Sequence, residues 1–202
     1  MTSPSKYLDA LIREFSKLPG IGPKSASRLA FHILKLREEE TEKLASSIIE
    51  LRKNIRSCGI CGGISDSDTC AVCRSDTRDR SLLCVVQEQK DAIIIENTGG
   101  YNGLYHILHG VLSPLDGIGP EDLTIAPLID RCRDEVVREV IIATNPTVEG
   151  DATALYISRA LGEINPAPEV MRIAHGLPLG SDLEFADSAT LLRSIQARTK
   201  VR

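Results

Sequence analysis

A chain of 202 residues that is 42% hydrophobic is long enough to bury a core, and no apolar run in it reaches the length that crosses a bilayer. No tract is compositionally simple enough to remain unfolded, and a formal charge of −4 argues, for the chain as a whole, against a surface that coats nucleic acid. The charge is unevenly spread. Residues 1–37 carry seven basic side chains (Lys6, Arg13, Lys17, Lys24, Arg28, Lys35 and Arg37) against Asp9 and Glu14, a local +5 that leaves −9 for the rest.

The basic segment predicts two helices around a tight turn. Leu8, Leu11, Ile12, Phe15 and Leu18 recur at helical spacing, as do Ala26, Leu29, Ala30, Ile33 and Leu34 after the turn Leu18-Pro19-Gly20-Ile21-Gly22-Pro23. Pro23 suits the first turn of the second helix. The pattern is that of a helix-hairpin-helix: Gly20 and Gly22 let the backbone approach a phosphate, the helix start offers unpaired N–H groups, and Lys24 and Arg28 lie one turn apart beside it. Such a surface neutralises phosphates without reading base edges, so its affinity for DNA would depend on salt and hardly on sequence. With three Phe, four Tyr and no Trp, the chain has few side chains for a single-strand stacking platform. The competing reading is a plain helical hairpin whose glycines merely reverse the chain and whose basic residues form a solvated face.

A third helix is expected from Glu38 to Arg56, with Leu44, Ile48, Leu51 and Ile55 along a packing face and Glu38, Glu39 and Glu40 as favourable charge at its start. It leads into Cys58-x-x-Cys61, an eight-residue gap, and Cys70-x-x-Cys73. Four thiolates in two such knuckles point to zinc, one structural ion per chain, because four protein ligands fill a tetrahedral ion and leave no position for water. Two alternatives are weaker. Disulfides need an oxidising compartment, whereas Met1 to Lys17 is amphipathic and charged rather than a signal peptide, and redox chemistry normally needs one such pair. The protein is therefore expected to be cytoplasmic, with the closed site bracing the basic hairpin against the sheet segment beyond it. Cys84, in an apolar run, and Cys132, in a charged helical stretch, are expected to be ordinary reduced thiols.

Beyond Asp79, short apolar runs alternate with helical periods. Strands are expected at 82–86, 103–108, 137–143 and 169–174, helices at 121–132 and 151–161, and residues 91–96 suit either. The alternation implies a largely parallel sheet covered by helices, with its working edge at the carboxyl ends of the strands. Two loops fall on that edge, Gln87-Glu88 and Thr144 to Asp151. In the tail, residues 187–198 suit a helix with Leu191, Leu192 and Ile195 on one face, expected to pack on its own domain. His106, His109 and His175 do not read as a ligand set.

The sheet segment resembles the Toprim domain of topoisomerases, primases and some nucleases. That resemblance implies a glutamate after the first strand and an Asp-x-Asp pair after a later one, together holding magnesium for phosphoryl transfer. This chain departs from the pattern. Gln87 falls at the glutamate position with Glu88 beside it, and Asn145 and Thr147 fall where the aspartates belong. A remnant cluster of Glu88, Glu149 and Asp151 is the one arrangement left that could bind Mg²⁺.

The order of parts, with LPGIGPKSASRLAF (18–31), the cysteine quartet, GLYHILHGVLSPLDGIGP (103–120), ATNPTVEGDA (143–152) and RIAHGLP (172–178), resembles the RecR family of bacterial recombination mediators over almost the whole chain. The implied fold is α+β and multidomain: a helical domain with a helix-hairpin-helix (1–55), a four-cysteine zinc finger (56–78), an α/β Toprim domain with a mostly parallel sheet (79–176) and a short helical tail (177–202). The implied function is recombinational DNA repair without catalysis. Subunits would assemble in a ring-like homo-oligomer around DNA and act with RecO and RecF to help RecA load onto single strands coated by single-strand-binding protein. Carried over by position, Lys24 and Arg28 would contact DNA and Glu149 would contact a partner. Two other readings stay open: a metal-dependent Toprim nuclease or primase-like enzyme using Glu88, Glu149 and Asp151, and an interaction scaffold that never touches DNA.

Overall fold

The structure of the chain, a computed structural model, describes residues 5–134, 136–174, 176–178, 180–198 and 200. The chain forms two compact units, Met1–Ile55 and Arg56–Arg202.

In the first unit, α1 (Lys6–Ser16) and α2 (Pro23–Ile33) pack on each other with Leu8, Ala26 and Ala30 buried between them. Ala26 and Ala30 are one turn apart and small, which lets the two helix backbones approach closely. The turn between them closes through the Ile21 amide donating to the Leu18 carbonyl at 3.1 Å, with Gly20 in the left-handed region at φ +77°. Pro23 takes the first position of α2, where no N–H is needed. Helix α3 (Glu38–Asn54) begins with three glutamates, and the Arg37 amide donates to Glu40 Oε2 at 3.1 Å. The row Leu44, Ile48, Leu51 and Ile55, expected to pack, is instead exposed in the single chain. Helix propensity and period are right there, but no other element of this small unit covers the face.

The second unit opens with an antiparallel ribbon of β1 (Arg56–Ser57) and β2 (Ile64–Ser65) and a single-turn helix α4 (Ala71–Arg74), which carry the two cysteine knuckles. The sheet comes next: β3 (Asp79–Val86), β4 (Gly103–Ile107), β5 (Glu139–Ala143) and β6 (Glu169–Arg172), all parallel, in the order β4-β3-β5-β6. The segment left open by periodicity, residues 91–96, is the body of helix α5 (Gln89–Glu96), set by the Glu88 amide donating to Asp91 Oδ2 at 2.9 Å.

Both faces of the central strands are buried, as a parallel sheet requires. Leu83, Val85, Leu104, Val140 and Ile142 meet helices α6 (Ile125–Asp134) and α7 (Val148–Gly162) through Leu128, Ala154, Ile157 and Leu161. On the other face Cys84, Val86, Tyr105 and Ile107 pack with Ala92 of α5 and Val72 of α4. Each fully buried Leu or Ile contributes about 1.5–3 kcal/mol. The expected helix over 121–132 is broken into a 3₁₀ turn at Pro120–Asp122 and α6, because Leu123 is buried and the Thr124 hydroxyl turns back to the Ile107 carbonyl at 2.6 Å. After β6, the tail ends in helix α8 (Ser188–Gln196), capped by Asp187, whose Oδ1 accepts from the amides of Ala189 and Thr190.

The chain between β5 and α7 is tightly wound. The Gly150 amide donates to the Thr147 hydroxyl at 3.1 Å, the Gly150 carbonyl accepts from Thr144, and a Cβ at Gly150 would lie 2.0 Å from the Asn145 carbonyl oxygen. Gly150→Ala must push that loop outward and should cost roughly 1–3 kcal/mol in urea denaturation. Gly162→Ala, where a Cβ meets nothing within 4 Å, should be neutral or slightly stabilising in the same measurement.

Candidate functional site

The hairpin brings Gly20, Gly22, Lys24 and Arg28 to one end of the α1/α2 pair, all four exposed. A Cβ at either glycine would meet nothing within 4 Å, so the turn is open to a ligand's approach. Lys24 and Arg28 sit on the first two turns of α2, beside the free N–H groups of its start.

The four cysteines converge. The sulfurs of Cys58, Cys61, Cys70 and Cys73 all lie within 4.8 Å of one another, and Cys61 Sγ and Cys70 Sγ are 3.7 Å apart. Corners of a tetrahedron with metal–sulfur bonds of about 2.3 Å are about 3.8 Å apart, so the set has the dimensions of a four-thiolate metal site. Backbone amides point at the sulfurs, as thiolate ligands require: Gly63 to Cys61 and Cys70 to Cys58, both at 3.3 Å, and Cys73 to Cys70 at 3.4 Å. A hydrogen bond from Cys73 draws the Cys61 thiol down to about 5. The same bond and burial push Cys73 well up, so further thiolate charge in this buried cluster is opposed until a cation shares it.

The knuckles are fixed to the sheet. The Ile107 amide donates to the Cys61 carbonyl at 2.8 Å, the Ile64 amide to Gln89 Oε1 at 2.8 Å, and Arg80 Nη2 to the Cys73 carbonyl at 3.4 Å. His109, a non-glycine residue at φ +65°, lays its imidazole over the first knuckle, with Nε2 3.1 Å from where a Gly62 side chain would begin. His106 is buried and neutral, burial holding it down to about 4, and its Nε2 donates to the Thr124 carbonyl at 2.8 Å. His175 lies outside the described residues. Cys132 is buried, and burial pushes the Cys84 thiol up to about 12, so Cys84 is not a reactive thiolate.

The strand order reverses between β3 and β5, which makes the crevice beyond their carboxyl ends the place where such a sheet binds ligands. Gln87 leaves β3 there and Asn145 leaves β5. The Asn145 amide donates to Gln87 Oε1 at 2.6 Å, so a neutral hydrogen bond ties the two loops together. The acids nearby are engaged separately. Glu88 pairs with Lys90 at 2.7 Å, Glu149 is exposed on the first turn of α7, and Asp151 is held by Arg172 of β6 and Arg193 of α8. The Arg172 guanidinium, with Arg193 adding to it, holds the Asp151 carboxyl below the usual range. The remnant cluster of Glu88, Glu149 and Asp151 is therefore not assembled. Among the described residues the cysteine quartet is the one set of three or more His, Cys, Asp or Glu side chains close enough to share an ion. Sequence reasoning missed both arginines, because Asp151, Arg172 and Arg193 meet only through tertiary structure, 21 and 42 residues apart.

A parallel sheet of this order with these loops, following a basic helical hairpin and a four-cysteine module, defines a Toprim-domain protein with a helix-hairpin-helix motif. The comparisons agree. Residues 81–172 match the Toprim domain, residues 8–52 the helix-hairpin-helix of RecR and residues 176–199 the C-terminal region of RecR. The chain is 53% identical over 188 residues to the recombination protein RecR of Carboxydothermus hydrogenoformans, covering 93% of this chain and 94% of that one. It is 50% identical over 197 residues to that of Desulforudis audaxviator, covering 98% of each. The chain belongs to the RecR family of recombination proteins. No helix among the described residues is long and apolar enough to cross a membrane.

Cys58→Ala or Cys70→Ala should abolish metal binding, read by metal analysis of the purified protein, and lower the thermal midpoint by about 10 °C or more, since ligand-set energy is folding energy here. Cys84→Ala should leave the metal content unchanged.

Proposed function

We propose that this chain is a non-enzymatic mediator of recombinational repair that binds DNA without regard to sequence and works as a homo-oligomeric clamp. In this reading Gly20 and Gly22 admit a phosphate to the start of α2, and Lys24 and Arg28 neutralise its neighbours. Cys58, Cys61, Cys70 and Cys73 hold one structural zinc ion per chain, which thiolate softness and the tetrahedral spacing favour over harder cations. The partners are RecO and RecF, with Glu149 as a contact, and the outcome is loading of RecA onto single strands coated by single-strand-binding protein. The compartment is the cytoplasm, where free thiols persist.

The observation that carries the non-catalytic part is the Gln87–Asn145 hydrogen bond at the switch point. Metal-assisted phosphoryl transfer by a Toprim domain needs several carboxylates converging there, and a carboxamide bonded to a backbone amide supplies no charge for Mg²⁺. The clamp part is supported by charge: one hairpin presents a small basic face on an acidic chain, so a single subunit binds weakly, while several hairpins brought together gain through effective concentration.

Lys24→Ala combined with Arg28→Ala should weaken DNA binding at least tenfold and reduce the slope of log affinity against log salt by about two, with metal content intact. An unchanged slope removes the hairpin from the interface. Incubation of the protein with DNA and Mg²⁺ or Mn²⁺ should give no nicking. Cleavage that disappears in Glu149→Gln would establish the enzymatic alternative instead.

A further inference from the structure

The geometry points to α8 as a detachable cap on the Toprim edge, clasped by Arg193 to Asp151 and released when that ion pair is broken. The inference does not depend on the DNA-binding reading.

Three observations carry it. First, among the described residues the tail's polar tie to the sheet domain is the bond from Arg193 Nη2 to Asp151 Oδ2 at 3.4 Å, and every other hydrogen bond of residues 180–198 is local to the tail. Second, the tail buries little: α8 has no fully buried residue, Leu191 is half-buried, and Leu183, Phe185, Leu192 and Ile195 are 55–78% exposed. Of the apolar face expected to pack, Leu191 is half-buried while Leu192 and Ile195 face solvent, so little apolar area holds the helix on its own domain. Third, the seam is loose. Open clefts of about 450 and 440 Å³ flank Arg193, one lined by Pro146, Ile173 and Thr190, the other by Asp151, Arg172 and Gln196.

A single ion pair with partners 46% and 36% exposed holds a helix weakly, and salt screens it. The docked and undocked states therefore lie close in population, and a small change in their relative stability moves the balance. Arg172 gives the clasp its second property. It keeps Asp151 in place when Arg193 leaves, so the acid stays oriented toward the vacated seam and able to accept another cation. What replaces α8 must look like it: a segment with an arginine for Asp151, as Arg193 now supplies, and a small residue at the cleft that Ala189 lines together with Ile173 and Ala174. The tail thus competes in cis with a basic, helix-forming segment of a partner for the edge beside Glu149.

Hydrogen–deuterium exchange of the full-length protein tests this. Arg193→Ala, or raising salt from about 50 to about 500 mM in the wild type, should speed exchange of the 188–196 amides by about three- to fivefold while β3, β4 and β5 stay protected. Arg193→Lys should restore part of the protection. Salt should have little further effect on α8 in Arg193→Ala. Unchanged α8 exchange in Arg193→Ala overturns the clasp. Faster exchange in the strands as well would make Arg193 a support of the domain, and would overturn it equally.

Discussion

A parallel sheet has to be covered on both faces, and this chain covers much of one face with a module that is not itself a regular element. The row Cys84, Val86, Tyr105 and Ile107 is closed over by α5 and by the cysteine knuckles, whose Cys61 carbonyl takes the amide at the end of β4. Two two-residue strands and a single-turn helix cannot hold that shape by backbone hydrogen bonds alone. Four sulfurs on one ion can. The metal therefore works through structure: it shapes the cover, the cover seals β4, and β4 positions the loop that carries His109 beside the switch point.

The switch point has the backbone of a ligand-binding crevice without, among the described residues, a set of converging carboxylates. Its backbone is intact: the strand order reverses, the loops after β3 and β5 face each other, and α7 starts where a ligand's negative charge would be welcome. The side chains there find their partners within the protein. Gln87 spends its carboxamide oxygen on the Asn145 amide, Glu88 pairs with Lys90, and Asp151 neutralises two arginines. Glu88 and Asp151 are each satisfied by cations of the protein, so repulsion that an ion would otherwise relieve is absent. What remains is an acid held by two arginines of the same chain, one from β6 and one from the tail helix.

Local signals made much of this legible. Hairpin, strands and the body of α7 follow from short-range patterns: Pro and Gly in the α1–α2 turn, β-branched runs in β3 and β5, and an apolar helical period over 151–161. Paired cysteine spacing was enough to bring four sulfurs together, because knuckles are local devices. Three things were hidden for one reason. The break at Thr124, the ambiguity over residues 91–96 and the arginine partners of Asp151 are all settled by groups distant in sequence: the Ile107 carbonyl, the sheet face that Ala92 meets, and β6 with the tail. Periodicity also says that a face is apolar but not what will cover it, which is why both the Leu44 row and the α8 row were expected to pack, yet the first lies open and the second is open at Leu192 and Ile195.

That openness bears on the first unit's stability. Fifty-five residues bury only Leu8, Ala26 and Ala30 among those described, and two of these are alanines, whose burial contributes little. Ordering each residue costs on the order of 1–2 kcal/mol, so a unit with so small a core is marginal as a lone body. Leu18, Leu29, Phe31, Leu34 and the α3 row add up to a large apolar surface left in water. Covering it by association would supply the missing burial, and the same association would multiply the number of basic hairpins presented to one DNA. The segment richest in positive charge is thus also the segment with most to gain from neighbours, which is the physical reason that assembly and DNA binding enter the functional proposal together.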